Sequence, residues 1–547
     1  MLSFGALWRA GLIALTAASA TANAQSAPEP AAIERTIPRQ PHVDSVAPVI
    51  SGLAPARAAR LPETGKFTLG AVNIDGATAF SKADLSGSFE PMLATEVDGR
   101  KLAQIAARIT ERYRDSGFLL SYATVPSQDV EAGMVRVDVV EGRIGSLAIA
   151  GGGADEAAIE AIAAPLLKEV PLKSATLERA IGLMRDYPGV TVADVALSRT
   201  DAEAGIYALK ITLKRNRTRA FTYMDNRGTQ SAARTRLYTS ASFSSVAVDG
   251  DELRADLFAM PGGKFRYLYG QVVAGLPIGR DGLRLTLSAS RGDQYLRELE
   301  RLDGDSTSLT AQLSYPVLRS RALTMVGKLS VNDWRSGASE HGVAKLRDHL
   351  RVARVGVDFS TETRTLIQGE LALSRGLGFD GMTRVGDPLS SRRNAGGKFT
   401  KAEFALKVIR PLSDDFRLQA VVAGQYANRP LLSAEEFALG GNRIGRAFAF
   451  NAATAARGIG GGLELSYRLP QKKGPLANPW LFAFVDGGAA FDARPALTSD
   501  HKRSLASAGI GARFSIGGSA FSAEAGVPLG GPGGHSVRLF VSAYRPF

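Results

Sequence analysis

A glycine-rich segment in the C-terminal part of the chain carries an arginine whose side chain could make a specific contact. The segment reads ALGGNRIGRAF over residues 438–448, and Arg446 and Phe448 follow the pair Gly440 and Gly441. A guanidinium group can donate two parallel hydrogen bonds to one carboxylate and can also lie over an aromatic ring. Arg446 is therefore either a solvated loop residue or an anchor that binds a carboxylate elsewhere in the chain.

A carboxylate beside aromatic rings occurs further downstream, in WLFAFVDGGAAF. This segment contains Phe484, Asp486 and Gly488 at alternate positions. If the segment is a strand, its period of two places all three side chains on one face. Spacing alone does not decide whether Asp486 is a partner of Arg446 or a separate charge on a wall.

The composition excludes several other kinds of chemistry. The 547 residues include no cysteine, which rules out disulfides, thiolate nucleophiles and cysteine-type metal sites. Five scattered histidines show no metal-ligand spacing. The sequence has no Ser-His-Asp signature, no paired catalytic carboxylates and no Gly-x-x-x-x-Gly-Lys-Ser/Thr nucleotide loop. We therefore expect a protein that is not an enzyme and that uses no metal or cofactor.

Basic charge is concentrated in the C-terminal part of the chain. Of the formal net charge of +13, residues 1–214 contribute −3 and residues 215–547 contribute +16. Such an excess indicates nucleic acid, anionic lipid headgroups or a polar wall as its surroundings. No nucleic-acid module with interleaved aromatic residues is found, so we expect no nucleic-acid partner.

The N-terminal part of the sequence resembles a leader followed by a linker. Arg9, a short apolar core and a small-residue ANA cleavage site are typical of a secretory signal peptide over residues 1–24. Residues 25–65 are rich in Pro, Ala and Ser and predict a linker, in which only PAAIERTI could form a short helix. No apolar run reaches the roughly 20 residues that a spanning helix needs.

Residues 66–214 predict two consecutive soluble units that mix strands and helices. In the first unit, GRKLAQIAARITERYRDSG predicts an amphipathic helix that ends at Gly117, because its apolar residues recur on one stripe. The order of elements then repeats more loosely, and each unit closes with a pair of strands. We place the two units at residues 66–144 and 145–214.

Residues 215–547 alternate apolar and polar residues in short segments that are separated by turns. The segments number sixteen and start near residues 219, 233, 251, 264, 281, 304, 320, 345, 363, 395, 414, 456, 479, 502, 519 and 537. This even number and the length of about ten residues suit tilted strands that span a membrane. A soluble sandwich could show the same alternation, but hairpin-connected strands in this number favour an all-β membrane barrel with a polar lumen.

Four places in the chain carry a resemblance to a known family. They are LLSYATVPSQDVEAGMVRVDVVEGRI, MRDYPGVTV, MDNRGTQ over Met224–Gln230, and the glycine-rich loop itself. Together they are similar to the two-partner secretion outer-membrane transporters of the haemolysin secretion/activation type. In the second place, Tyr187 stands where the family usually has leucine. The matching positions of the first place are Pro126, Gln128, Gly133, Glu141 and Gly142.

The loop follows the family pattern with two departures. Aligning its glycine pair puts Arg446 on the family's arginine and Phe448 on the family's aromatic residue. Gly445 then replaces a hydrophobic residue, and Ala447 replaces a glycine. Because alanine adopts fewer backbone conformations than glycine, we expect the loop backbone to differ locally from the family's.

The resemblance implies that the loop folds back into the barrel and is locked to its wall. In this family the loop arginine meets the aspartate of a Phe-x-Asp-x-Gly motif, which places Arg446 against Asp486. Such a charged pair would hold a loop in a wide lumen better than apolar contact would. The residues implied for this lumen loop lock are Gly440, Gly441, Arg446, Phe448, Phe484, Asp486 and Gly488.

The resemblance also implies the architecture and the function. Two α+β POTRA domains, at 66–144 and 145–214, would precede a transmembrane barrel of 16 antiparallel strands at 215–547, and the linker at 25–65 could supply a short plug helix. The protein would lie in the outer membrane of a Gram-negative bacterium, with its POTRA domains in the periplasm. It would capture an unfolded secreted partner, such as a haemolysin or an adhesin, and export it through the lumen. The alternative is an insertase that assembles other outer-membrane barrels.

The implied partners are the large secreted protein in transit, outer-membrane lipid and lipopolysaccharide, and the barrel-assembly machinery that inserts this barrel. An open sheet edge offers unpaired backbone groups to an extended chain. We therefore expect the secreted partner to contact the edge of the first POTRA domain, at Ser121, Tyr122, Ala123, Thr124 and Val125.

The last strand departs from regular alternation. It reads VSAYRPF and places Pro546 immediately before the terminal Phe547. Because proline has no N–H to donate to a ladder, we expect strand pairing to be broken near residue 546.

Overall fold

The structure is a computed structural model of the chain. The predicted signal peptide at 1–24 and most of the linker at 25–65 lie outside the residues that it describes. Within the described part, no helix is long and apolar enough to cross a membrane. The described residues are 33–34, 37, 50–51, 65–201, 204–228, 233–262, 265–297, 301–361, 363–470, 476–492, 502–531, 534 and 536–547.

A two-residue strand, β1 (Ile50–Ser51), precedes two α+β units. Both contain a strand, two helices and two strands in that order, and the first unit adds two short strands, one at its start and one between its helices. The first unit comprises β2 (Phe67–Thr68), β3 (Ala71–Asp75), α1 (Lys82–Ser86), a 3₁₀ turn at Glu90–Met92, β4 (Glu96–Val97), α2 (Gly99–Asp115), β5 (Tyr122–Thr124) and β6 (Met134–Val140). The second comprises β7 (Arg143–Ala150), a 3₁₀ turn at Gly153–Asp155, α3 (Glu156–Lys168), α4 (Ser174–Asp186), β8 (Val190–Asp201) and β9 (Ile206–Arg215).

Helix α2 forms where its sequence predicts an amphipathic helix. The side chain of Asp98 caps its N-terminus by accepting a hydrogen bond from the Lys101 backbone N–H at 2.9 Å. Its apolar stripe is buried against the β3–β6–β5 sheet. The helix ends just before Gly117, which adopts a φ of +89° that suits glycine.

Glu141 ties the end of the first unit to its helices. One of its carboxylate oxygens accepts hydrogen bonds from the backbone N–H groups of Thr78 and Ala79, both at 2.8 Å, and from the Tyr113 hydroxyl at 2.7 Å. The Thr78 hydroxyl binds the other oxygen. Burial opposes ionisation of Glu141, but these hydrogen bonds outweigh it and hold the pKa of the carboxyl below its usual value.

The sheet of the second unit has the strand order β1–β8–β9–β7, so its edge is completed from outside the unit. Strand β1 pairs in parallel with β8, with Ile50 opposite Val195 and Ser51 opposite Ala196. The open edge of this sheet therefore accepts an extended segment of the chain's own linker.

Sixteen antiparallel strands close into a barrel in the described part of the chain, and the last strand pairs with the first. This confirms the predicted fold class, and no predicted start is more than five residues from the observed one. A hairpin of β21 (Phe437–Leu439) and β22 (Ala453–Ala455) lies in the loop after the eleventh barrel strand, which also contains a 3₁₀ turn at Ser433–Glu435.

In chain order the barrel strands are β10 (Thr218–Asp225), β11 (Arg236–Ser244), β12 (Glu252–Met260), β13 (Phe265–Ile278), β14 (Leu283–Arg297), β15 (Arg301–Arg319), β16 (Thr324–Glu340), β17 (Val343–Ser360), β18 (Leu366–Gly376), β19 (Thr400–Pro411), β20 (Phe416–Ala427), β23 (Arg457–Arg468), β24 (Ala477–Phe491), β25 (Lys502–Ile516), β26 (Ser519–Gly530) and β27 (Arg538–Pro546).

The barrel turns its apolar side chains outward. On β13, Leu268 and Val272 are about half exposed, whereas the alternate residues Tyr267 and Tyr269 are buried towards the lumen. A soluble barrel or sandwich would show the opposite arrangement, so the outer surface suits lipid. Because β10 begins directly after the second α+β unit, the turns at that end of the barrel lie on the same side of the membrane as the two units.

Strand pairing continues through the C-terminus, so the prediction of a broken ladder near Pro546 is wrong. Pro546 is opposite Phe221 on β10, and the Phe547 N–H donates to the Ala220 carbonyl at 2.8 Å. Successive N–H groups of a strand point to opposite sides, so the missing donor of Pro546 would have faced β26. The β26–β27 ladder already ends with Ala520 opposite Tyr544, and proline therefore costs no hydrogen bond there.

The second α+β unit is docked on the turns at the near end of the barrel. Arg319 at the end of β15 forks to Asp186 on α4, with distances of 2.8 Å from Nε and 3.0 Å from Nη2. Arg179 on α4 donates to the Pro316 carbonyl at 2.9 Å. Gly182 makes the approach possible, because a Cβ there would lie 2.5 Å from Cγ of Arg319.

Two helical residues of the linker lie inside the barrel. Ile33 is buried among aromatic side chains of β10 to β13. The Glu34 carboxylate accepts hydrogen bonds from the Tyr267 hydroxyl and the Trp334 indole N–H, each at 3.3 Å, and from the Ser306 hydroxyl. Part of the linker therefore occupies the lumen.

We predict that Glu141→Gln loosens the first α+β unit, because a neutral amide oxygen accepts weaker hydrogen bonds than a carboxylate and the Thr78 hydroxyl would have to reverse and accept from the amide N–H₂. The expected loss is about 1–3 kcal/mol of stability in this unit. Because the folded pKa of Glu141 is depressed, its stabilisation is present above the ordinary carboxyl pKa and is lost as pH falls through the lower folded pKa.

Hydrogen exchange of α2 in the full-length protein measures this effect. The matched control is Glu131→Gln, which changes an exposed carboxylate of the same unit. Equal exchange in both variants, with no acid-dependent increase in the wild type, would contradict the role of Glu141.

Candidate functional site in the barrel lumen

The loop between β20 and β23 enters the lumen and turns back at a glycine pair. Gly440 and Gly441 adopt φ values of +102° and +107°, which side chains rarely permit. A Cβ on Gly440 would also lie 2.1 Å from the Ala449 carbonyl oxygen. The two predicted glycines are therefore required by the backbone path of the loop.

Asp486 on β24 binds the backbone of the loop tip. Its carboxylate accepts the Gly445 N–H at 2.8 Å and the Arg446 N–H at 3.3 Å. The Ser507 hydroxyl of the next strand, β25, also donates to it. Asp486 is only 6% exposed. These donors therefore replace the hydrogen bonds to water that the carboxylate loses on burial.

The guanidinium of Arg446 bridges two other carboxylates. Its Nη1 lies 2.7 Å from Glu464 on β23, and its Nη2 lies 2.5 Å from Glu524 on β26. Its Cζ stands 3.7 Å from the ring centroid of Phe484, which places the cation over the aromatic face. The carboxylate of Glu464 also accepts hydrogen bonds from Nη1 and Nη2 of Arg513, at 2.5 and 2.8 Å.

The structure brings Arg446, Phe484 and Asp486 together as predicted, but the expected fork from the guanidinium to Asp486 is wrong. In the β23–β24 ladder, Glu464 is opposite Phe484, whereas Asp486 is opposite Gly462. The Glu464–Phe484 pair therefore lies two residues closer to the α+β units than Asp486 does. The loop arrives from the other end of the barrel and rests its backbone on Asp486. The long arginine side chain then extends to the next row of the wall.

The loop backbone accommodates both departures from the family pattern. Gly445 adopts a φ of +81°, whereas Ala447 is not among the described residues with positive φ. The permissive glycine therefore stands two positions earlier than in the family pattern. Space for the Ala447 side chain is left by Gly526 on β26, where a Cβ would lie 3.1 Å from that of Ala447.

Apolar packing also holds the loop against the barrel wall, next to the polar contacts. Phe448 is 2% exposed and packs with Leu439 of β21 and Leu505 of β25. Gly488 lets the hairpin approach the wall, because a Cβ there would lie 2.9 Å from Cδ2 of Leu439.

Arg227 is a further contact of the loop that the sequence did not single out. Its Nη1 donates to the carbonyls of Arg446, at 3.0 Å, and Gly441, at 3.3 Å. Its Nη2 forms an ion pair with Glu524. Arg227 follows β10, and the adjacent Asn226 hydrogen-bonds β27, so Arg227 links the loop to the seam between the first and last strands.

The missed partners left only weak signals in the sequence. Glu464 and Glu524 are glutamates on the polar face of strands whose other face meets lipid, a position that is costly unless the charge is paired. Arg227 occupies the variable place in MDNRGTQ, the segment whose similarity to the family predicts the start of the barrel.

The predicted edge of the first unit is in part already engaged. Tyr122 and Thr124 pair with β6, while the N–H of Ala123 points away from β6 and donates to the Thr110 hydroxyl of α2 at 2.9 Å. The Ser121 hydroxyl accepts the Gly142 N–H, and Val125 is buried.

Comparison with known families decides the identity of the chain. The model for haemolysin secretion/activation protein ShlB/FhaC/HecB matches residues 208–514, and the model for the ShlB-type POTRA domain matches residues 67–142. The chain belongs to the haemolysin secretion/activation protein family. Members of this family are outer-membrane transporters rather than enzymes, and they export a partner protein by two-partner secretion. The match favours this function over the assembly-insertase alternative.

Similar proteins agree with this family. The heme/hemopexin transporter protein HuxB from Haemophilus influenzae (strain 86-028NP) is 23% identical over 455 residues, covering 80% of this chain and 78% of the relative. CdiB from Escherichia coli has the same fold, with a TM-score of 0.74 and 18% identity over 94% of this chain and 95% of that chain. CdiB from Acinetobacter baumannii gives a TM-score of 0.67 and 15% identity over 94% and 96%.

We predict that Arg227→Gln loosens the loop and the barrel seam together. The change removes two hydrogen bonds to loop carbonyls and leaves Glu524 with Arg446 as its remaining cation, at a cost of about 2–3 kcal/mol. The temperature at which the folded band converts to the unfolded band on an SDS gel should therefore fall.

Arg291→Gln serves as the control, since Arg291 is exposed and forms its ion pair with its neighbour Asp293 on the same strand. If both variants convert at the same temperature, Arg227 does not hold the loop.

Proposed function

We propose that this transporter receives its partner protein as an extended chain at the POTRA units and exports it through the lumen after the loop and the linker have moved. The observation that carries the proposal is the loop itself, which lies inside the barrel and is held at its tip by ion pairs and hydrogen bonds. Buried ion pairs contribute little net stability, because desolvation offsets their attraction. A polar lock can therefore open when water or a passing chain replaces its contacts.

The sheet edges of the POTRA units support capture of an extended segment. Strand β1 already adds to the β8 edge in parallel, which is the pairing mode that an unfolded partner would use. For the first unit we retain Ser121–Val125 as the proposed contact. An incoming strand would there have to compete with Thr110 for the Ala123 N–H.

The linker supports a closed resting state. Ile33 and Glu34 lie in the lumen, so the N-terminal segment acts with the loop as a plug in our proposal. Export then requires that both leave the path. No nucleotide loop occurs in the sequence, so folding of the partner outside the cell would supply the direction of transport.

We propose the domain division 1–24 for the signal peptide, 25–65 for the linker, 66–144 and 145–214 for the POTRA domains, and 215–547 for the barrel. The apolar outer surface supports contact with outer-membrane lipid and lipopolysaccharide, and a barrel of this kind would depend on the barrel-assembly machinery for its own insertion. The cargo that we propose is a large secreted protein of the haemolysin or adhesin type.

Deletion of the gene, followed by proteomics of the culture medium and the cell surface, tests the proposal. We expect one large secreted protein to disappear while the other outer-membrane barrels remain, and the intact gene should restore it. General loss of barrels would support the insertase instead. An unchanged medium and surface would contradict export.

A further inference from the structure

A second group of arginines lines the lumen, between the loop lock and the POTRA units. Arg417 is the second residue of β20, and Arg468 is the last residue of β23. Both guanidinium groups lie over the ring of Trp480 on β24, with Cζ at 4.6 and 5.1 Å from its centroid. We call Arg417, Arg468 and Trp480 the periplasmic arginine cluster.

The cluster faces the lumen rather than the lipid. Arg468 and Trp480 are direct partners in the β23–β24 ladder, and Trp480 is in turn opposite Arg513 on β25. Arg513 reaches the loop lock through Glu464, so the cluster lies on the same inner wall. On the outer surface, neighbouring residues such as Phe416 and Leu481 are exposed to lipid.

The cluster lacks a counterion within the described residues. The neighbouring carboxylate, Glu464, is already engaged by Arg446 and Arg513, and the described residues give Arg417 and Arg468 no ion pair of their own. The Nε of Arg417 is buried and has no hydrogen-bond partner among the described atoms. Arg417 is partly buried and Arg468 is exposed, and their two positive charges repel each other across the Trp480 ring. Binding of an anion between them would relieve this repulsion.

We propose that the periplasmic arginine cluster binds carboxylate side chains of the transported polypeptide as it enters the lumen. Guanidinium groups bind carboxylates in a forked geometry, and the Trp480 ring holds both guanidinium groups in place beneath the incoming chain. The cluster would thus select acidic segments at the mouth of the barrel and guide them towards the loop. This inference rests on the proposed export function.

The test measures binding of a labelled oligoglutamate peptide to the full-length transporter in phosphatidylcholine nanodiscs by fluorescence anisotropy. Arg417→Gln and Arg468→Gln should each raise the Kd by about three- to tenfold, as expected for one partly exposed ion pair. Arg417→Lys should retain most of the affinity. A labelled oligolysine peptide should bind more weakly than oligoglutamate and should not respond to these changes.

Arg410→Gln is the matched control, because Arg410 is exposed at the same end of the adjacent strand β19 but lies on the outer face of the barrel, the face that also carries Phe404. Equal Kd values for the wild type and both cluster variants would overturn the proposal, as would an equal loss in Arg410→Gln. If soluble glycerol phosphate, the headgroup of phosphatidylglycerol, displaces the peptide in phosphatidylcholine nanodiscs far more strongly than free glutamate does, the cluster prefers a phosphate headgroup and the proposal fails.

The peptide-binding test and the gene-deletion test together separate this inference from the function on which it rests. Peptide binding does not depend on the identity of the secreted partner, and gene deletion tests export without reference to the cluster. Unchanged binding together with loss of one secreted protein would reject the cluster alone, whereas an unchanged medium would reject export.

Discussion

The contact of Arg446 with the inner wall is the interaction on which the position of the loop inside the lumen depends. Its guanidinium joins Glu464 on β23 to Glu524 on β26 and lies over the Phe484 ring on β24, while the backbone of the loop tip rests on Asp486. One side chain therefore fixes the loop to three strands of the barrel. Without this side chain, the two buried carboxylates would each lose a counterion. The loop would then be held by its backbone hydrogen bonds to Asp486 and Arg227 and by apolar packing at the Phe448 end.

A polar lock suits a barrel that has to open. Apolar packing in a dry core resists separation, whereas ion pairs in a lumen can exchange partners with water or with a passing chain at a smaller net cost. The same network reaches the seam of the barrel, because Arg227 binds both the loop backbone and Glu524. The loop is thus linked by direct contacts to the seam between the first and last strands. The arginine network also continues towards the POTRA units through Arg513.

The sequence predicted the barrel well because alternation depends on which face meets lipid, a local property of each strand. That Arg446, Phe484 and Asp486 would meet followed from the resemblance to the family, because the spacing of the two motifs alone left it open. The sequence could not give the partners of the guanidinium, because Glu464 and Glu524 are brought beside Arg446 by strand register, which no short segment encodes. Arg227 was missed for the same reason. The prediction at Pro546 is wrong because its missing N–H would face β26, on the side where the ladder has already ended.

An engineered disulfide between the loop and the wall tests the central claim most directly. The chain has no cysteine, and a Cβ at Gly526 would lie 3.1 Å from that of Ala447, slightly closer than the usual 3.5–4.5 Å in a disulfide and near enough to form one after a small shift. We predict that Ala447→Cys/Gly526→Cys inserts normally, stops export of the partner protein when oxidised and resumes export when a reductant is added, while Gly526→Cys alone exports throughout. Undiminished export by the oxidised double variant would show that the partner does not need the loop to leave the lumen.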